Sequence, residues 1–379
     1  IKFYFNCYVL GSLAMIVLFQ LDHGTNWYSL DDLLFYEVAI GKQNENVHLF
    51  NIRWWGYLLL LKGFYLGISE WIDSSSNFYH GILLSSFLSS FIPHFYRKHF
   101  YGKLTRQSLN RLIIVLLFLP QFVVYNSTYL RDSIIMLLFA MLVYFVNLKT
   151  ISNLKKLSII IFLLILGYSI RPGSSIFLIS YLIVQLLMSR GNLYVIYLIV
   201  IILIISYFND VNFRSLDQLN HSYSALTDRE ASSNSIGNRL LNNESVLFFP
   251  LKFLYILFSP IPPPIITKFS LKTFVFSIGL LIQYYFLIIF LISGVKNFFS
   301  VKKNIEISKD LIFTSIIVVA ILFSSRDPRH LNFLFPLVFM RGITYLESNK
   351  FVRNKVFGYI ILIIPLMIVG YYVIKYNYV

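Results

Sequence analysis

The chain has 379 residues, 57% of them hydrophobic and only 13% charged, with a net charge of +15. Soluble domains carry about twice that share of charge, so the composition excludes an ordinary soluble core. Apolar runs separated by short charged loops point instead to helices in a membrane. The period-2 alternation of an outer-membrane barrel is absent.

The first apolar run, 3–20, holds the single cysteine, Cys7, so neither an internal disulfide nor a cysteine-based zinc site arises within the chain. No small-residue cleavage site follows this run, and it reads as a retained helix rather than a signal peptide. Further apolar segments fall at 78–96, 112–127, 133–148, 157–170, 174–189, 193–208, 272–293, 310–324, 331–345 and 356–374. As one helix, 157–189 would be roughly 50 Å long, too long for a hydrocarbon core of about 30 Å. Arg171-Pro172-Gly173 interrupts it with a turn signal, which predicts a helical hairpin with an outward tip.

Two stretches, 54–69 and 246–259, are apolar but ambiguous. The basic clusters decide them: Arg97-Lys98 to Arg111, Lys149 to Lys156, Lys296 to Lys309 and Lys350 to Lys355. All should be cytoplasmic, and they are so only if both ambiguous stretches lie along the outer surface without crossing. The whole +15 excess then falls on the cytoplasmic side while the outer segments balance, so the basic residues are topology signals and not a nucleic-acid footprint. The expected fold is an all-α integral membrane protein with about eleven transmembrane helices. It forms a single bundle over 1–379, with a first outer loop at 21–77 and a large one at 209–271. The N-terminus is cytoplasmic.

The unusual residues collect on the outward side. In the first loop, Ser29-Leu30-Asp31-Asp32 opens a helical pattern. Ser29 and the acids could simply cap it, because the dipole at a helix start favours negative charge. Asp31 or Asp32 could equally serve as a general base at the membrane surface. Neighbours on a helix point about 100° apart, so the two do not form a facing acid–base pair. Tyr129-Leu130-Arg131-Asp132 stands at the outer start of another helix, Arg171-Pro172 at the hairpin tip, and Ser324-Ser325-Arg326-Asp327-Pro328-Arg329-His330 between two apolar spans. An arginine at membrane depth costs about 2.5–3.5 kcal/mol on insertion scales. Adjacent Asp132 and Asp327 could offset this as structural pairs, but Arg171 and Arg329 have no local partner. Guanidinium forks suit phosphate oxygens, which makes Arg131, Arg171, Arg326 and Arg329, with His330 beside them, candidates to hold a lipid-linked phosphate. In the large loop, 222–245 is polar and Ser/Asn-rich, as in a solvated loop, and 246–271 is apolar, ending in Pro260-Ile261-Pro262-Pro263-Pro264. No Walker loop, GxGxxG, HExxH or GxSxG is present, and the seven His show no ligand spacing. No metal site is indicated, although a divalent cation stays open as a cofactor. No cytoplasmic loop is large enough for a nucleotide-sugar domain, so any activated donor must arrive on a lipid.

These features resemble the polyprenol-dependent membrane glycosyltransferases of the GT-C type, whose first outer loop begins D-[DE]-x-x-Y-x-E-x-A. Asp31, Asp32, Glu37 and Ala39 stand at matching positions, with Phe35 in place of the tyrosine and Tyr36 beside it. Tyr57 to Gly67 is similar to that family's surface helix, and 78–96 followed by Arg97-Lys98-His99-Phe100-Tyr101-Gly102 to the helix ending A-R-R-L-F-G. The later chain is similar to polymerases of bacterial surface polysaccharides, through Leu130-Arg131-Asp132, Arg171-Pro172 and the run Pro260 to Pro264. The resemblance implies a GT-C-like bundle in a bacterial cytoplasmic membrane, a polyprenyl-linked sugar donor and a lipid-linked glycan acceptor. It implies polymerisation of repeat units, as in O-antigen or capsule, or the transfer of one sugar. A transporter or flippase would instead show inverted repeats and ionisable residues at the bilayer midplane, and the sequence shows neither.

Overall fold

The computed structural model describes residues 1–23, 30–40, 55–72, 78–127, 131–189, 249–258, 271–300, 304–323 and 328–349. Their regular structure is entirely helical, without a strand. The apolar segments 193–208 and 356–374, the polar stretch 222–245 and the proline run lie outside the described residues. The chain divides into two compact units, one of residues 1–179 with 269–280, the other of residues 180–268 with 281–379.

Unit 1 begins with α1 (Lys2–His23), α2 (Leu30–Ala39) and α3 (Trp55–Ile72). There follow α4 (Phe78–Ser89), α5 (Phe91–Phe100), α6 (Arg106–Phe118), α7 (Pro120–Ser127), α8 (Asp132–Asn147) and α9 (Asn153–Ile170). Helix α10 (Pro172–Ser189) starts here and runs into unit 2. Local chemistry sets the ends. Thr105 caps α6 by accepting the Ser108 N–H at 3.1 Å, and Ser152 caps α9. Leu119 and Arg171 are both extended, and each precedes a proline that disfavours helical geometry in the residue before it. The break at Arg171-Pro172 that the sequence indicates is therefore present. Between α6 and its predecessor the chain turns through Gly102, whose φ of +77° suits only a residue without a β-carbon. The apolar segment 78–96 continues to Phe100 and bends at Ser90, whose N–H is shared between the Ser86 and Phe87 carbonyls.

Helix α8 is the centre of unit 1, buried along almost its whole length from Asp132 to Val143. It packs against α4, α5, α7 and α9. Small residues allow close approach on the other contacts. Ser85, Ser86, Ser89 and Ser90 of α4 and its bend are buried, and the Ser86 hydroxyl lies 3.1 Å from that of Ser12 on α1. Tyr8 crosses from α1 to donate to the Leu116 carbonyl at 3.1 Å. Gln121 of α7 donates to the Phe276 carbonyl at 2.9 Å, tying the segment 269–280 to this unit.

Unit 2 holds the end of α10, then α11 (Phe249–Phe258), most of α12 (Leu271–Phe299), α13 (Ile305–Phe323), a 3-10 helix (Pro328–Leu334) and α14 (Phe335–Ser348). Asn297 ties the end of α12 to the start of α13. Its amide donates to the Ser308 hydroxyl at 2.8 Å and accepts the Asn304 N–H at 2.6 Å. Gly342 of α14 lies against Phe286 of α12, and Phe286 meets Phe339 edge to face.

Among the described residues, two helices are long and apolar enough to cross a membrane, within Asn153–Ile170 and Phe274–Phe299. Of the first, only 22% of the apolar window is buried inside the protein, and Leu157, Ile161, Phe162 and Ile165 face outward. Helix α11, in the ambiguous stretch 246–259, has 10 residues. The described part spans about 15 Å, half of a bilayer core. Helix α3, in the other ambiguous stretch, has 18 residues, and its length alone leaves both placements open.

Candidate functional site

Helix α2 carries Asp31 and Asp32 in its first turn and is fixed one turn later. Phe35 is 2% exposed and meets Tyr57 of α3 edge to face, with ring centroids 5.1 Å apart. Tyr36 meets Tyr65 of α3 in the same way at 5.8 Å. The Tyr65 hydroxyl accepts the Gly81 N–H at 3.2 Å, and burial pushes that phenol well above its ordinary pKa, so it stays protonated. Aromatic edge contacts of this kind add roughly 0.5–1.5 kcal/mol each beyond area burial, and two of them fix the rotation of α2 on α3. Phe35 therefore has a packing role at the position where the resembling family has a tyrosine.

The guanidinium of Arg131 lies over the Phe35 ring, 5.2 Å from its centroid. Arg131 stands immediately before α8 with helical backbone angles and is 8% exposed. A desolvated cation over an aromatic face gains up to roughly 2 kcal/mol. The next residue, Asp132, is equally buried, and its carboxylate accepts from the Arg171 guanidinium at 3.5 Å. The sequence suggests Arg131–Asp132 as the local pair and leaves Arg171 unmatched. The structure pairs Asp132 with Arg171, 39 residues away. Arg171 reaches Asp132 because Pro172 ends α9 there and holds Arg171 extended. A third contact closes the group. A β-carbon on Gly56 of α3 would fall 2.3 Å from the Ser169 hydroxyl and 3.0 Å from its carbonyl carbon, so the start of α3 abuts the end of α9.

Unit 1 thus brings together three regions far apart in sequence: the helix of Asp31 and Asp32, the Arg131-Asp132 start of α8, and Arg171. Asp31 and Asp32 precede Phe35 by four and three positions, one helical turn. Their side chains, and Ser29 as a cap, lie outside the described residues. In unit 2, Arg329 and His330 belong to the 3-10 helix, with side chains outside the described residues, as is Arg326 altogether. The same 3-10 helix holds Asn332, 6% exposed, whose side-chain nitrogen has no hydrogen-bond partner among the described residues.

Sequence reasoning missed a second ionic group, in unit 2. Arg341 of α14 donates to the carboxylate of Asp310 on α13 and lies 3.6 Å from Glu306, which also takes Lys309 at 2.9 Å. Asp310 is 5% exposed. The available signal was an arginine inside the apolar segment 331–345 and an acid at the edge of 310–324, opposite charges that apolar surroundings drive together.

No protein-family model, curated protein or solved structure matches this chain. Chemically, the unit 1 group offers two guanidinium ions and a carboxylate beside a helix that starts with two acids. Among the described residues no three His, Cys, Asp or Glu side chains gather as a metal site.

Proposed function

We propose that the chain is a multi-pass glycosyltransferase of the bacterial cytoplasmic membrane. It acts at the outer face on a polyprenyl phosphate- or diphosphate-linked sugar and polymerises repeat units of a surface polysaccharide. The membrane part is supported by α9, an apolar helix whose surface is mostly turned away from the protein, and the distribution of basic loops favours a cytoplasmic N-terminus. With the stretches 54–69 and 246–259 placed along the outer surface, the parity of the basic loops gives about eleven spans. Lys62, exposed midway along α3, favours the surface placement of that helix.

The observation that carries the catalytic part is the seat of Arg131 over Phe35, one helical turn from Asp31 and Asp32 and beside the Asp132–Arg171 pair. In this reading an Asp carboxylate of α2 takes the proton of the acceptor hydroxyl. The freed oxygen attacks the anomeric carbon as the bond from that carbon to the phosphate oxygen breaks. The electron pair leaves with the polyprenyl phosphate, and Arg131 and Arg171 stabilise the charge developing there. Arg326, Arg329 and His330 belong to another unit, and Arg329→Lys, which keeps the charge but loses the bidentate fork, tests their part through donor affinity at unchanged expression.

The test is purified protein in detergent given a polyprenyl diphosphate-linked oligosaccharide. Release of polyprenyl diphosphate with a ladder of extended product supports polymerisation. Extension by one step supports single-sugar transfer. Donor that crosses a vesicle bilayer without covalent change would identify a flippase and overturn the proposal.

A further inference from the structure

A second feature of unit 1 lies at the opposite end of α8 from the group above. An open groove of about 800 Å³ is bounded by Tyr4 of α1, His94, Arg97 and Lys98 of α5, Tyr101 just beyond it, and Tyr144 of α8. Both cations are exposed, and among the described residues no carboxylate lines the groove. Arg97 is held in place, donating to the Tyr4 hydroxyl at 3.2 Å. The groove therefore presents a fixed guanidinium fork and an ammonium with aromatic walls, which suits a phosphate anion.

What adjoins the groove identifies the source of that phosphate. Phe3 lines it and is 65% exposed. From Phe3 an exposed apolar row runs up α1 through Leu10, Val17 and Leu21. At 100° per residue these positions lie within about 40° of Phe3, and the row extends roughly 27 Å along the axis. That is close to the thickness of a hydrocarbon core. A free phosphate has no use for such a track, whereas a lipid fills both parts. We propose that this groove binds the phosphate headgroup of an anionic membrane lipid, with an acyl chain along the Phe3–Leu21 row. The inference rests on the membrane reading and is independent of the glycosyl-transfer chemistry.

The experiment uses the full chain reconstituted in nanodiscs of phosphatidylcholine with increasing phosphatidylglycerol, and counts retained lipids by native mass spectrometry after detergent exchange. Wild type should retain phosphatidylglycerol over phosphatidylcholine. Each headgroup-proximal cation contributes a factor of about five, so Arg97→Gln with Lys98→Gln should lower that preference at least tenfold. Lys155→Gln with Lys156→Gln, basic but outside the groove, should leave it unchanged. Lys98→Gln alone, which spares the Tyr4 bond, should show about a fivefold drop if the double variant proves unstable. Replacement of Leu10 and Val17 by Ser should shorten retention without removing headgroup selectivity. Equal losses in the groove and control variants would mean a diffuse surface potential and overturn the site. Displacement of the lipid by millimolar inorganic phosphate would identify a free-anion site instead. A protein that extracts without detergent would refute the membrane reading itself, a result separate from either outcome.

Discussion

Removing the carboxylate of Asp132 should loosen the junction of α8 and α9 by an amount that can be worked out. The charges are 3.5 Å apart, and the side chains of Arg171 and Asp132 are 12% and 11% exposed. At an effective dielectric near 20, unit charges at that distance attract by about 5 kcal/mol before desolvation is subtracted. Breaking a buried pair from one side costs about 3–5 kcal/mol, because the remaining charge stays desolvated. Since the pair keeps a tenth of its surface in contact with solvent, Asp132→Asn should cost about 3 kcal/mol, at the low end of that range. Arg171→Gln should cost a similar amount. The double variant should recover most of the loss, because it leaves no uncompensated charge. Equilibrium unfolding in mixed micelles, followed by circular dichroism, yields the four free energies of the cycle. Additivity of the two single losses within about 0.5 kcal/mol would show that the pair carries no coupling, and the junction of α8 and α9 would need another explanation.

Gly56→Ala should destabilise by about 1–3 kcal/mol through overpacking against Ser169. Gly63→Ala, on the same helix with open space around it, should instead stabilise by up to about 1 kcal/mol from helix propensity; both are read in the same unfolding assay. Arg341→Met should cost about 3–5 kcal/mol by leaving Asp310 buried without its cation, and Arg341→Met with Asp310→Leu should regain most of it. Phe35→Leu should lower donor turnover by releasing the Arg131 guanidinium, an interaction of about 0.5–2 kcal/mol, while Phe35→Tyr should keep it. Arg131→Lys and Arg171→Lys should weaken donor binding, measured by calorimetry, at unchanged expression, because charge survives but the bidentate fork does not.

Much of the helical framework is legible in the sequence because its signals are local. Thr105 and Ser152 accept N–H groups three residues on, and Pro172 ends a helix where the sequence indicates a break, whereas Pro120 divides the apolar segment 112–127, which reads as one helix in the sequence. The bend at Ser90 is less legible, since serines disturb a helix only when their hydroxyls turn onto the backbone, as Ser90 does onto the Phe87 carbonyl. The candidate site was legible as a set of residue types but not as a set of partners. Adjacency suggested Arg131 with Asp132. On a helix, however, adjacent side chains diverge, which sends Arg131 to Phe35 and Asp132 to Arg171. The Asp310–Arg341 pair was hidden for a related reason: each residue looks like a topology charge until two helices from different segments are laid together.

The central claim is glycosyl transfer with a base on α2, and the most direct measurement is chain extension by purified protein from a polyprenyl diphosphate-linked oligosaccharide. Wild type should give a product ladder. Asp31→Asn or Asp32→Asn should abolish it while membrane insertion and the unfolding midpoint stay at wild-type values. Full extension by both single variants, or no extension by wild type under saturating donor and acceptor, would contradict the account.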